Sequence, residues 1–207
     1  MPTTQVSICN LALQLVGARQ ITAIDEGSEQ ARACEVLYEP TRQELLRTHL
    51  WRFGRARDSI TADGTDPEWG YDKRFPVPAD CLQVWAIDTG GYSTRGVRWT
   101  VEGGYIFANT AGPLKILYSK DVTDEAEFDV LFVQLFAHQL AVYLCEPLTQ
   151  DNTKSQIISQ SLGRIYSNAV AADAVEAVEM VESDGSWITN RYLTGGSVDP
   201  TLIWDGY

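Results

Sequence analysis

The chain has 207 residues, 44% hydrophobic and 21% charged, a balance that suits a globular protein of one domain, or two small ones sharing a core. Its net charge of −12 is concentrated: residues 1–60 hold seven Arg against seven acids, residues 61–120 six Lys/Arg against seven, and residues 121–207 three against fourteen. That distribution argues against tight non-specific binding of nucleic acid, which needs cations to displace phosphate counterions. Cys9, Cys34, Cys81 and Cys145 form no CxxC pair, and reduced, buried thiols are the expected state. The N-terminus lacks the basic-then-apolar order of a signal peptide. The most apolar stretch, 128–145, carries Asp129, Gln134, His138 and Gln139, and reads as too polar to span a membrane, so cytoplasmic synthesis is expected.

In chain order, residues 4–16 predict a helix: Val6, Cys9, Leu13 and Val16 follow helical spacing, Thr3 or Thr4 caps the start, and Gly17 suits a left-handed stop. Residues 28–51 predict a second helix, begun at Ser28, with Ala31, Cys34, Tyr38, Leu45 and Leu46 on its buried side and a kink or break at Pro40. From Phe53 to Ser119 the pattern changes to short β-branched and aromatic runs between turns. Cys81–Asp88, Val97–Glu102, Tyr105–Asn109 and Leu114–Ser119 are the strand candidates, with Gly103-Gly104 as a two-residue hairpin turn. The prolines within Pro67–Pro78 imply an extended connection there rather than a regular element.

Helix is expected again from a cap at Thr123, through an almost wholly apolar run to Cys145 (Phe128, Leu131, Phe132, Leu135, Phe136, Leu140, Val142, Leu144). A fourth helix is expected after Pro147, from about Asp151 to Ser183, burying Ile158, Leu162, Ile165, Ala169 and Ala172. Residues 184–207 are too Gly/Pro-rich for a long helix. Yet Trp187, Ile188, Tyr192, Leu193, Ile203, Trp204 and Tyr207 make them too apolar for a solvated tail, so they read as an arm that packs on something. The fold class is thus α+β. A bundle of four helices is built from residues 1–52 and 121–183, a small antiparallel β domain (53–120) is inserted between the second and third helices, and an extended C-terminal arm follows.

No catalytic, cofactor or metal constellation emerges. His49 and His138 fall on different helices with no acid or Cys at ligand spacing, no G-x-S-x-G elbow occurs, and the glycines make no phosphate loop. The sharpest charged features are an arginine cluster (Arg42, Arg47, Arg52, Arg55, Arg57) and an acidic series recurring every three residues (Asp173, Glu176, Glu179, Glu182). Opposite patches on one chain suit head-to-tail contacts between identical subunits, which close into rings.

Three phrases carry a family resemblance: Ile8-Cys9-Asn10-Leu11-Ala12-Leu13, Leu45-Leu46-Arg47-Thr48-His49-Leu50-Trp51-Arg52-Phe53, and Phe75-Pro76-Val77-Pro78-Ala79-Asp80-Cys81-Leu82. With Gly17, Ile21, Ile24, Ser28, Ala31, Cys34, Tyr38 and Arg42 between them, and a V-T-D start to the late helical half, residues 4–183 resemble tail tubular protein A, the head-to-tail adaptor of short-tailed bacteriophages. Leu50 and Arg52 depart from that family's usual Pro and Asn, and Pro40 is unusual in it.

The resemblance implies a structural virion protein at the head–tail junction, assembled in the host cytoplasm. It would form a ring of twelve copies, bind the portal protein above and a tubular nozzle below, and surround passing double-stranded DNA without specific binding. Tail fibres are a further candidate partner; no membrane partner or cofactor is implied. Within that reading, Trp187–Tyr207 grips the portal or a neighbouring subunit, and the arginine cluster meets the acidic series between subunits. The alternatives are a head-completion connector of a long-tailed phage and, from another class, a small hydrolase or cell-wall enzyme, which the lack of a His/carboxylate constellation disfavours.

Overall fold

A computed structural model describes residues 3–88, 98–110, 112–149 and 152–177, with backbone alone at 152, 176 and 177. The chain divides into two units, Met1–Asp173 and Ala174–Tyr207. All the packing below belongs to the first. The arm expected at 184–207, with Trp187, Ile188, Tyr192, Leu193, Ile203, Trp204 and Tyr207, lies outside the described residues, as do Glu179 and Glu182.

The protein is α+β: among the described residues are four α-helices and two small antiparallel sheets whose strands fall between the second and third helices. Helix α1 spans Gln5–Val16. Of the two candidate caps Thr4 is the one used. Its hydroxyl accepts the Ser7 N–H at 3.2 Å while the Ser7 hydroxyl accepts the Thr4 N–H at 2.9 Å, a reciprocal capping box. Gly17 ends the helix at φ 78°, the left-handed geometry that glycine adopts without a Cβ penalty, and its N–H bonds Gln14 O.

Helix α2 spans Glu29–Thr48, with the Ser28 hydroxyl accepting from Ala31 N at 3.1 Å. Of the kink or break expected at Pro40, the break is absent: the helix runs on through that residue. The carbonyl that Pro40 leaves without a donor belongs to Val36, which is 70% exposed, so water can replace the missing bond. One residue on, the Thr41 hydroxyl donates to Leu37 O at 2.7 Å.

Between the helices, the Asn10 side chain donates to Ile21 O and accepts from Ile21 N, both at 2.8 Å. This ties the connecting loop to α1. Glu26 organises the rest of that loop. Its carboxylate accepts from Thr22 N (2.7 Å), Thr22 Oγ1 (2.8 Å) and Ser28 Oγ (2.7 Å), and these donors, the Thr22 N–H foremost, lower its pKa to about 2.

The inserted strands are β1 (Arg55–Ile60), β2 (Lys73–Pro76), β3 (Cys81–Asp88), β4 (Trp99–Glu102), β5 (Tyr105–Ala108) and β6 (Leu114–Lys120). They form two antiparallel sheets, ordered β1-β6-β3 and β2-β5-β4. Sequence reading missed β1, whose apolar residues are Ala56 and Ile60 among four polar ones, and took β2 for irregular connection. The Gly103-Gly104 hairpin is present, both residues at positive φ (57° and 82°). Alternation along the strands sends one face of each sheet inward. Phe75, Ile106 and Ala108 meet Val84, Ile87, Leu114, Ile116 and Tyr118 in a core of their own.

Helix α3 spans Val130–Thr149. The cap expected at Thr123 is instead a short 3-10 turn over Glu125–Glu127, where the Asp124 carboxylate accepts the Ala126 N–H at 2.9 Å. Pro147 does not end α3; its missing bond is to the carbonyl of Tyr143, 38% exposed, and the Thr149 hydroxyl donates to Cys145 O at 2.8 Å. By length and composition α3 could cross a membrane, contrary to the sequence reading. Its place is the middle of the bundle, packed between α1 and α2 with Phe132, Leu135, Phe136, Leu140, Ala141, Leu144 and Cys145 buried.

Phe132 sits in an aromatic cluster, 5.1 Å from Trp51, 4.9 Å from Phe53 and 5.1 Å from Phe128 (ring centroids). Each such pair adds about 0.5–1.5 kcal/mol beyond the area it buries.

Helix α4 (Asn152–Ala177) lays Ile158 and Ala169 into the same core, with Leu162, Ile165, Tyr166 and Val170 half-buried beside them. It is held at both ends. Lys154 Nζ donates to Val16 O at 3.1 Å, and the Asp173 carboxylate accepts from His49 Nε2 and from Arg52 N, both at 2.9 Å.

Candidate functional site

The three phrases converge. Ile8, Cys9, Ala12, Leu13, Leu45, Leu46 and Trp51 share the bundle core, with Phe53 and Leu82 packed against it. Trp51 is 2% exposed and its indole N–H reaches Leu45 O at 2.9 Å, plugging the point where the chain leaves α2 for the sheets. The third phrase joins the two cores. Phe75 and Cys81 belong to the sheet core, while the Asp80 carbonyl accepts from Asp121 N at 2.7 Å and the Tyr118 hydroxyl donates to the Asp80 carboxylate at 3.3 Å.

Burial, with the Asp80 charge beside it, pushes the Tyr118 phenol up to about 12 and the Cys81 thiol up to about 11. None of the four cysteines is in a disulfide; Cys9, Cys34 and Cys145 are buried and Cys81 partly so. A hydrogen bond between Cys9 and Cys34, together with burial, raises the Cys9 thiol, and the same bond lowers that of Cys34.

The arginine cluster does not act as one patch. Arg42 is 2% exposed and spends its guanidinium inside the fold, on Glu39 (2.7 Å), Asp121 (2.5 Å) and the carbonyl of Val122. Burial opposes its charge, but the two carboxylates outweigh that and its pKa ends raised. Arg42 is therefore a structural clamp from α2 to the β6–α3 connection and is withdrawn from the set of contact residues. Asp173 is withdrawn too, its carboxylate being committed to His49 and Arg52 N with 12% of its side chain exposed. Burial is what separates these two from their neighbours, and sequence spacing does not encode it.

Of the remaining cations, Arg55 and Arg57 lie on the open face of the β1-β6-β3 sheet. Arg47 and Arg57 are exposed and Arg55 is partly buried; Arg47 reaches Gln83 on β3 at 3.4 Å. Arg52 is exposed just before β1. The register places Arg55 opposite Ser119, Arg57 opposite Leu117 and Ser59 opposite Lys115. A groove of about 510 Å³ lies there, lined by Arg57, Lys115, Leu117, Ala86, Asp58 and Asp88 among others. Sequence reading missed Lys115, Leu117 and Ala86. The alternation of buried Leu114, Ile116 and Tyr118 with their neighbours on β6 was the signal that could have found the first two.

A second groove, about 520 Å³, runs between α1 and α3, with Leu11 and Leu15 (43% and 39% exposed), Ala137, Gln14, Gln134 and His138 at its walls. His138 Nδ1 donates to Gln134 O at 2.8 Å, and His49 lies elsewhere against Asp173. Among the described residues no group of three or more His, Cys, Asp and Glu is placed to hold a metal ion. No family model matches the chain, and no curated protein matches it.

Proposed function

We propose that this chain is a structural head-to-tail adaptor of a short-tailed bacteriophage, a ring-forming virion protein between the portal and the tail nozzle, around the DNA channel. The observation that carries the reading is the convergence of the three resemblance phrases. Segments 8–13, 45–53 and 75–82 pack into one scaffold that joins a helical bundle to a β insertion, the arrangement the resemblance implies.

The charge distribution supports it: an excess of acid in residues 121–207 repels DNA phosphate over a Debye length of about 8 Å at physiological salt, so DNA passes without sticking. The cations at the open sheet face and the acids Glu176, Glu179 and Glu182 offer opposite patches for head-to-tail closure into a ring. The Trp187–Tyr207 arm, apolar by composition, is the portion assigned to the portal or a neighbouring subunit.

The test is co-sedimentation with the cognate portal protein. The full chain should sediment with portal rings. A chain lacking residues 184–207 should stay folded by circular dichroism and be left in the supernatant. No association of the full chain with portal, or equal association of the truncated one, overturns the reading of the chain or of the arm respectively.

A further inference from the structure

The open face of the β1-β6-β3 sheet has a cationic rim and an apolar floor. Side chains pointing inward from β6 are Leu114, Ile116 and Tyr118, so Lys115 and Leu117 point the other way, with Ala86 opposite Leu117. Arg55 and Arg57 share that face by the same alternation, and Arg47 reaches its end through Gln83. Asp88 and Asp58 both line the groove, and the Asp58 carboxylate accepts the Ser59 N–H at 2.7 Å. The groove itself holds two cations, Arg57 and Lys115, and two carboxylates, Asp58 and Asp88; Arg55 on β1 and Arg47 at Gln83 add two cations beyond its end. The Arg55 Nε is buried without a hydrogen-bond acceptor among the described residues.

One segment of the chain has the complementary pattern. Val175-Glu176-Ala177-Val178-Glu179-Met180-Val181-Glu182 sets a carboxylate at every third position with valines and a methionine between, and Val175, at the end of α4, is 73% exposed. Such a segment offers acids to the rim and apolar groups to the floor at once.

We propose that the open face of the β1-β6-β3 sheet receives the Val175–Glu182 segment of a second copy of the chain, Glu176 and Glu179 meeting Arg57 and Lys115 over the Leu117–Ala86 floor. This rests on the ring reading above and names the surfaces that close the ring. Charge pairs of this kind act on association rate and register as much as on affinity, and lose force with salt.

The test has two arms. In the first, a fluorescein-labelled peptide of residues 174–184 is titrated onto the full chain by anisotropy. Saturable binding is expected, weakened at least tenfold by Arg57→Glu with Lys115→Glu and recovered when the peptide carries Glu176→Lys and Glu179→Lys. The milder pair Arg57→Gln and Lys115→Gln, at two exposed positions, guards against misfolding. Absent binding, binding indifferent to both variant pairs, or displacement by duplex DNA overturns the assignment.

In the second arm, sedimentation of the full chain, alone and with portal, compares the wild type with each charge reversal and with the two combined in one chain. Loss of assembly in each and recovery in the combination support the proposal. A wild type that never assembles overturns the ring itself. Assembly unaltered by the reversals leaves the ring standing and overturns this interface. Peptide binding to a chain that stays monomeric assigns the groove to the chain's own segment and overturns the contact between copies.

Discussion

Replacing Arg42 by methionine removes the guanidinium and keeps most of the apolar stem. Three partners lose a donor, and their environments set the cost. The Val122 carbonyl is left without the Arg42 N–H, which costs about 1–3 kcal/mol for a buried acceptor. Asp121 loses a 2.5 Å ion pair, but its side chain is 24% exposed and keeps the Gln43 amide at 3.1 Å. Screening therefore reduces that loss to about 1 kcal/mol. Glu39, 56% exposed, rehydrates at little cost.

The sum is about 2–4 kcal/mol. In urea, with a slope of about 2 kcal/mol/M, the midpoint should fall by roughly 1–2 M with the slope unchanged. Arg57→Met, at an exposed position of the same sequence cluster, should shift stability by less than about 0.5 kcal/mol. Circular dichroism of both variants decides. If Arg42→Met melts like Arg57→Met, the reasoning that separates a buried clamp from a surface cation fails.

Asn10→Ala strips both hydrogen bonds from the Ile21 backbone at a half-buried site, and urea denaturation should show a loss of about 2 kcal/mol. A loss under about 0.5 kcal/mol would mean that the loop holds itself. Glu26→Gln should lower the thermal midpoint at neutral pH. Because the folded-state pKa is depressed to about 2, the wild type's advantage is present above the ordinary carboxylate pKa and disappears as pH falls through about 2. A difference between the two proteins that stays constant from neutral pH down to 2 would rule out the carboxylate's hydrogen bonds as the cause.

The helices were legible because their spacing and caps are local: Thr4, Gly17 and Ser28 each act within three or four residues of themselves. The strands β3, β5 and β6 were legible from alternation and composition. β1 was not, because Arg55–Ile60 owes its conformation to pairing with β6, far along the chain, and its side chains are largely polar. Pro40 and Pro147 misled for a related reason. A proline's cost depends on whether the carbonyl it orphans faces water, and exposure of Val36 and Tyr143 is a tertiary property.

The candidate surface was half visible. Clustering in sequence found Arg47, Arg52, Arg55 and Arg57, but could not tell that Arg42 turns inward or that Asp173 bonds His49 and Arg52 N. Nor could it supply Lys115, Leu117 and Ala86, which join Arg57 only through strand register.

The central claim is that this chain works as one member of a ring stacked on a portal. Electron microscopy of the purified full chain mixed with the cognate portal tests it most directly. The account predicts a second ring of twelve subunits, coaxial with the portal and leaving its channel open. Portal particles that remain bare, or decoration without rotational order, would contradict it.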